Sequence, residues 1–326
     1  MIIVGGGPAG VAAGVYAARK RIKTLLITES FGGQSTDSVD IQNWIGIVSM
    51  TGVELAERLE KHLKAYSDDV LELKPHVKVS RITQLKKAGE KGGPPSRGRS
   101  PLRRGEGPLF EVETDDGKKY QSRIIIFALG SRRRKLQVKG ADTFEHKGVV
   151  YCASCDAPLF RDRDIVVVGG GNAGLEAAEQ LTAYATSVHI FELGPEFHGD
   201  KMTQERVFKN PKVTAHTNAE TLEIKGDTMV SQVVWKDKKT GETQELSVQG
   251  VFVEIGSIPN TEMLKGLVEM NKYGEVVIDH KRSRTSVEGI WASGDATDQP
   301  YKQNNISMGD AVKALEDAYL YLQKLK

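Results

Sequence analysis

Ile2-Ile3-Val4-Gly5-Gly6-Gly7-Pro8-Ala9-Gly10 and Val166-Val167-Val168-Gly169-Gly170-Gly171-Asn172-Ala173-Gly174 are two versions of one phrase, 164 residues apart. Each opens on a β-branched apolar run, passes through G-x-G-x-x-G and enters an alanine-rich stretch, Val11–Lys20 or Leu175–Ala185. Each closes on a short apolar segment, Thr24–Ile27 or Val188–Phe191. That order predicts strand, glycine turn, helix, strand, the unit that seats a dinucleotide. One G-x-G-x-x-G carries little weight, because glycine-rich turns are common. Here both copies are followed by a carboxylate at the spacing expected for an adenosine ribose: Glu29 is 19 residues after Gly10, and Glu192 is 18 after Gly174. The glycines divide the work. Gly5 and Gly169 permit the tight turn, Gly7 and Gly171 let backbone approach a pyrophosphate, and Gly10 and Gly174 let the helix pack closely. Gly6 and Gly170 read as turn residues. Two nucleotides are implied.

The rest of the chain suits a two-domain α/β protein. It has 326 residues, 39% hydrophobic and 27% charged, with 34 glycines. The longest apolar runs, such as Ile124–Leu129, fall far short of the ~20 residues that span a bilayer, so no membrane partner is expected. Met1 leads straight into the first strand with no charged leader, which argues for a cytoplasmic protein. Thr51-Gly52-Val53-Glu54 reads as a capping box opening a helix to about Tyr66. Phe110–Thr114 and Lys119–Phe127 read as strands, as does Gly289–Ala292, and Met308 onward as a terminal amphipathic helix. Residues 86–108 hold seven basic and two acidic side chains, a net of +5, which leaves −3 for the rest of a chain whose net charge is +2. That stretch, taken as a disordered insertion over 88–108, lacks an apolar face. Arg97, Arg99, Arg103 and Arg104 there suit a docking role, but without interleaved aromatics no nucleic-acid partner is expected.

Cys152-Ala153-Ser154-Cys155-Asp156 holds the only two cysteines. C-x-x-C reads as a redox pair or as half a zinc site. Zinc needs about four ligands, and the seven histidines are scattered, so no metal site is expected. A redox disulfide beside two nucleotide units makes chemical sense. Asp156 is placed to hold or relay a proton, or to cap a helix. Arg132-Arg133-Arg134 reads as a solvated face or as a contact to a nucleotide or acidic partner.

With these motifs the sequence resembles the low-molecular-weight thioredoxin reductase family. The likeness runs through Gly5–Gly10, Gly32-Gly33-Gln34, Asn43-Trp44, the cysteine motif, Gly169–Gly174, Pro259-Asn260-Thr261 and Ala292-Ser293-Gly294-Asp295-Ala296. Cys155-Asp156-Ala157-Pro158-Leu159-Phe160, Phe191–Glu196 and Pro300-Tyr301-Lys302-Gln303 more closely resemble the reductase portion of the alkyl hydroperoxide reductase flavoprotein. That flavoprotein has an N-terminal thioredoxin-like extension not found in these residues, so the resemblance implies a separate electron acceptor.

The resemblance implies two Rossmann-like domains, the second inserted into the first: 1–131 with 256–326 for FAD, and 132–255 for the nicotinamide and the disulfide. FAD would be held by Gly5, Gly7, Pro8, Ala9, Gly10, Glu29, Gly33, Gln34, Asn43, Gly130, Asp295, Ala296 and Gln303. The nicotinamide nucleotide would be held by Gly169, Gly171, Asn172, Ala173, Gly174, Glu192 and Gly256. Leu129 stands where the family usually has threonine, which puts one local hydrogen bond in question. Cys155 would face the flavin and Cys152 attack the partner's disulfide, with the nicotinamide domain rotating between the two poses about crossings near Ser131 and Gly256. The expected activity is transfer of electrons from NADH or NADPH, through FAD and Cys152–Cys155, to a thioredoxin-like or glutaredoxin-like carrier, by a homodimer. A peroxiredoxin-coupled carrier is also open, and the rival activity is a ferredoxin-dependent enzyme of the same fold. NADH is expected over NADPH: residues 190–198 contain no arginine or lysine to meet a 2′-phosphate, and Glu192 would repel one.

Overall fold

The computed structural model describes residues 1–38, 40–67, 69–86 and 107–325. Ile2–Gly6 is buried along its whole length and lies in a five-stranded parallel sheet. The order is Ile290–Ala292, Ile125–Phe127, Ile2–Gly6, Thr24–Phe31, Leu71–Pro75. Strands covered on both faces read as unbroken apolar runs, which is why the first four were visible in sequence, whereas the edge strand Leu71–Pro75, polar and half exposed, was not. Helix Pro8–Arg19 follows the first glycine turn, with proline in its first turn, and packs on the terminal helix Asn304–Leu325. That helix starts four residues before Met308, because its first turn is polar and carries no apolar period.

The expected strand Lys119–Phe127 is in fact two. Lys119–Ser122 pairs antiparallel with Leu109–Thr114, whereas Ile125–Phe127 belongs to the parallel sheet. Ser122 marks the break: its hydroxyl donates to Ile124 O at 2.8 Å and accepts from Ile124 N at 3.2 Å. Thr51 and Glu54 form the capping box in both directions, at 3.1 and 2.7 Å, ahead of helix Gly52–Lys64. Of the basic stretch 88–108, residues 88–106 lie outside the described residues, and Gly107 and Pro108 are buried.

The second phrase builds a second parallel sheet, ordered Val213–His216, Ser187–Phe191, Asp164–Val168, Gly250–Val253, Val149–Val150. An antiparallel sheet of Ala219–Gly226, Val230–Asp237 and Thr243–Ser247 covers one of its faces. All strands of this half fall between Val149 and Val253, while the first sheet draws on both ends of the chain. The two passages between the halves lie side by side. Ser131–Arg133 pairs antiparallel with Ser257–Pro259, and Arg132 donates to Asn260 Oδ1 at 2.6 Å and Glu262 Oε1 at 2.9 Å. Arg132 is therefore partnered at the crossing. Among the described residues, no helix is long and apolar enough to cross a membrane.

Candidate functional site

The two glycine turns are the same object built twice. Gly5 and Gly169 take φ of +117° and +123°, the region that favours glycine. A Cβ on Gly5 would stand 2.3 Å from Ala128 O, and one on Gly169 would stand 2.4 Å from Glu254 O. At Gly10 and Gly174 it would stand 1.9 Å from the carbonyl of Gly5 or Gly169. Gly6 and Gly170 are more than turn residues: a side chain would strike Thr28 in one case and the Glu192 carboxylate in the other. Gly171 faces open space and Gly7 nearly so, which leaves room for a group laid against the backbone.

Along the first turn runs a groove lined by Gly5, Gly7, Pro8, Ala9, Glu29, Gly33, Gln34, Gly130 and Asp295. Glu29 stands exposed near the end of its strand. Asp295 accepts from Gln34 Nε2 at 2.9 Å and from Ser307 Oγ at 3.2 Å. Ala296 is fully buried and lines no part of this groove. At Leu129 the carbonyl accepts from Asn260 Nδ2 at 3.0 Å, and the side chain packs against the neighbouring apolar core.

Gln34 and Asp295 also line an adjoining cavity with Asn43, Gln303 and both cysteines. Asn43 Nδ2 donates to Gln303 Oε1 at 3.2 Å. Cys152 and Cys155 are joined as a disulfide around the short helix Ala153–Asp156. The disulfide thus opens onto the space beyond the first groove.

Asp156 lines the same cavity as the disulfide and is 5% exposed. It makes no capping bond to the turn Ala157–Phe160 that follows, so capping does not explain it. Burial, with help from Asp40 and against Arg133, pushes its carboxyl up to about 7. Glu254, just past strand Gly250–Val253, is pushed up to about 7 as well, again chiefly by burial. Glu254 and Arg133 were not singled out in sequence as partners of the cysteines. The available signal was a carboxylate closing the apolar run Val251-Phe252-Val253.

In the second unit, Glu192 is nearly buried at the end of Ser187–Phe191. Its Oε2 accepts from Gly170 N at 2.8 Å and its Oε1 from Gly194 N at 2.7 Å. Asn172 Oδ1 accepts from Asp200 N at 2.7 Å and so holds the next loop, while Ala173 and Gly256 are exposed.

The profile of the pyridine nucleotide-disulphide oxidoreductase family matches residues 1–317. The chain belongs to this family. It is 41% identical to an NADH dehydrogenase of Bacillus subtilis (strain 168) over 322 residues, 99% of this chain and 58% of that protein. It is 39% identical to an alkyl hydroperoxide reductase component of Escherichia coli (strain K12) over 327 residues, 100% of this chain and 58% of that protein. The chain thus spans a little over half the length of these relatives. The thioredoxin reductase of Streptococcus pyogenes MGAS5005 superposes with a TM-score of 0.83 at 31% identity, covering 99% of this chain and 97% of that one.

As a member of the family the protein is an oxidoreductase that uses FAD and NAD(P)H. The groove fits FAD on its own evidence. Gln34 Oε1 and Ser293 Oγ are buried there without a partner, and helix Pro8–Arg19 has no acidic residue in its first turn to compete with a phosphate.

Proposed function

We propose that the protein transfers two electrons from NADH to the disulfide of a thioredoxin-like or glutaredoxin-like carrier through its own Cys152–Cys155 pair. The overall reaction is NADH + H⁺ + carrier disulfide → NAD⁺ + carrier dithiol. The observation that carries this reading is that the disulfide shares one cavity with Gln34, Asn43, Asp295 and Gln303. FAD, when bound, supplies the two-electron relay between nicotinamide and disulfide. Asp295, oriented by Gln34 and Ser307, and the first glycine turn hold that group in register. Asp156, pushed up to about 7 by burial, can hold a proton at neutral pH and hand it to a leaving sulfur, which then departs as a thiol. Cys155 is the sulfur read as facing the relay and Cys152 the one that attacks the carrier.

In this reading residues 1–131 and 256–326 form the FAD unit and 132–255 the nicotinamide unit, which turns to present Cys152 outward. Support comes from the cores. Two buried clusters contain only residues up to Leu129 and from Met263 onward, and two others only residues from Leu136 to Ile255. The working form is a cytoplasmic homodimer, where a reducing environment keeps the pair cycling.

NADH is the preferred donor. The Glu192 carboxylate, held by two backbone amides, retains lone pairs for both ribose hydroxyls. Its charge opposes a 2′-phosphate by roughly 1–4 kcal/mol at ~4 Å. The test is NADH- and NADPH-driven thiol formation on purified thioredoxin-fold carriers. We expect kcat/KM to favour NADH by one to three decades, by about that energy, and Glu192→Ala to shrink the ratio. Failure to reduce any carrier would reject the function. Better use of NADPH, or an unchanged ratio in the variant, would reject the role of Glu192.

A further inference from the structure

Two carboxylates and one guanidinium stand near the disulfide, and their charges do not cancel. Asp156 follows Cys155 directly and is 5% exposed. The Glu254 side chain is 8% exposed. It accepts the backbone N–H of Ala153, which lies between the cysteines. Arg133 Nη1 stands 3.9 Å from Glu254 Oε2. The same guanidinium acts on Asp156, beside which it lines the disulfide cavity. One positive charge therefore serves two buried carboxyl groups.

Among the described residues the surroundings supply no second free cation, since Arg132, which also lines the cavity, is paired with Glu262 at 2.9 Å and Asn260 at 2.6 Å. Asp40 adds negative charge next to Asp156, and Glu176 does so next to Glu254. Of the other charged groups lining the cavity, Lys135 is paired with Glu145 at 2.7 Å, and Lys302 with Glu275 at 3.0 Å and with backbone carbonyls. His146 acts on Asp37, and Asp295 is held by Gln34 and Ser307. Two buried carboxylates beside one cation cannot both stay ionised cheaply.

We infer that Asp156 and Glu254 share a single proton at neutral pH across Arg133, and that Glu254 is a positioning residue setting the proton affinity of the carboxyl beside Cys155. This rests on the redox role proposed above for the cysteines. Burial raises both groups to about 7, Arg133 lowers both, and the Asp156 charge raises Glu254, so the two titrations are linked. When two electrons from the nicotinamide nucleotide break the S–S bond, one sulfur takes the stored proton and becomes a thiol. The other remains a thiolate. The proton of the nicotinamide's hydride passes to solvent, and the carboxyl pair carries one more negative charge until it takes a proton back from there.

The experiment is an infrared titration of the protonated-carboxyl stretch in the oxidised holoenzyme, from about pH 5 to about pH 9. The unmodified protein should lose two carboxyl protons in two coupled steps, with one protonated carboxyl left near pH 7. Asp156→Asn assigns its share of the band. Glu254→Gln still accepts from Ala153 N–H but leaves Arg133 to Asp156 alone. Its remaining step should fall by about one pH unit or more. The alkaline limb of carrier-reducing kcat/KM should fall with it. Arg133→Met should move both steps upward, and it decides the matter if Glu254→Gln does not fold. An Asp156 step that stays put in Glu254→Gln, or moves down in Arg133→Met, overturns the inference. Because the titration needs no turnover, an inactive enzyme whose step shifts as expected would reject the redox reading and keep this one.

Discussion

Cys152 and Cys155 are the only cysteines in the sequence, and the electron path proposed above runs through both. Cys152→Ser and Cys155→Ser should each reduce carrier turnover at least about a thousandfold, about 4 kcal/mol of barrier, with flavin content unchanged. Flavin absorbance and carrier-thiol assays read the two quantities separately, and substantial turnover in either variant would reject the mechanism. Asp156 makes a prediction of different sign from an ordinary ion-paired aspartate. Its folded-state pKa of about 7 lies above the unfolded value, so the native state binds the proton more tightly. Stability is therefore lost as pH rises from about 4 to about 7. Asp156→Asn escapes that loss. Its denaturation midpoint, compared with the unmodified protein, should improve between pH 5 and pH 8 by a difference on the order of 2–4 kcal/mol. A pH-independent difference would show that burial does not penalise this carboxylate. The sequence made the cysteines and Asp156 legible because chemistry concentrates in rare residue types at short spacing. It left Glu254 and Arg133 unread as a pair because 121 positions separate them and only folding brings them to 3.9 Å.

At the scale of elements, the glycine turns separate folding from binding. Gly174→Ala drives a methyl into the Gly169 carbonyl, a contact that backbone cannot yield easily. It should cost on the order of 3 kcal/mol of stability. Gly171 has φ −81° and ψ −174°, a conformation open to any residue, and nothing within 4 Å of an added Cβ. Gly171→Ala should therefore melt with the unmodified protein yet bind NADH at least about tenfold more weakly, about 1.4 kcal/mol. Denaturant curves beside NADH fluorescence titrations check both, and equal NADH affinity in Gly171→Ala would remove the pyrophosphate from this turn. The strands flanking each glycine turn were readable from their apolar runs, but Leu71–Pro75, Val149–Val150, Val213–His216 and Gly250–Val253 were not read. The stretch Lys119–Phe127 was misread as one strand, since a continuous apolar and polar mixture does not announce that one serine turns the chain from one sheet into another.

For the whole molecule, the division of buried residues into separate clusters predicts that residues 132–255 fold alone. That fragment should be soluble, unfold cooperatively, and bind NADH without retaining FAD. An unstructured fragment would mean that the proposed boundary cuts through one cooperative unit. The duplication of nucleotide units could be read from sequence, but the insertion of one into the other came from resemblance, since periodicity says nothing about which distant strands share a sheet. The paired passages Ser131–Arg133 and Ser257–Pro259 carry a mechanical consequence. A body tethered by one flexible strand can bend and twist about three axes, and must search all of them to find a second docked pose. A body tethered by a hydrogen-bonded two-strand ribbon resists in-plane bending and keeps mainly torsion about the ribbon. Its search collapses from a volume of orientations to something near a single arc, with the end points fixed by where the faces collide.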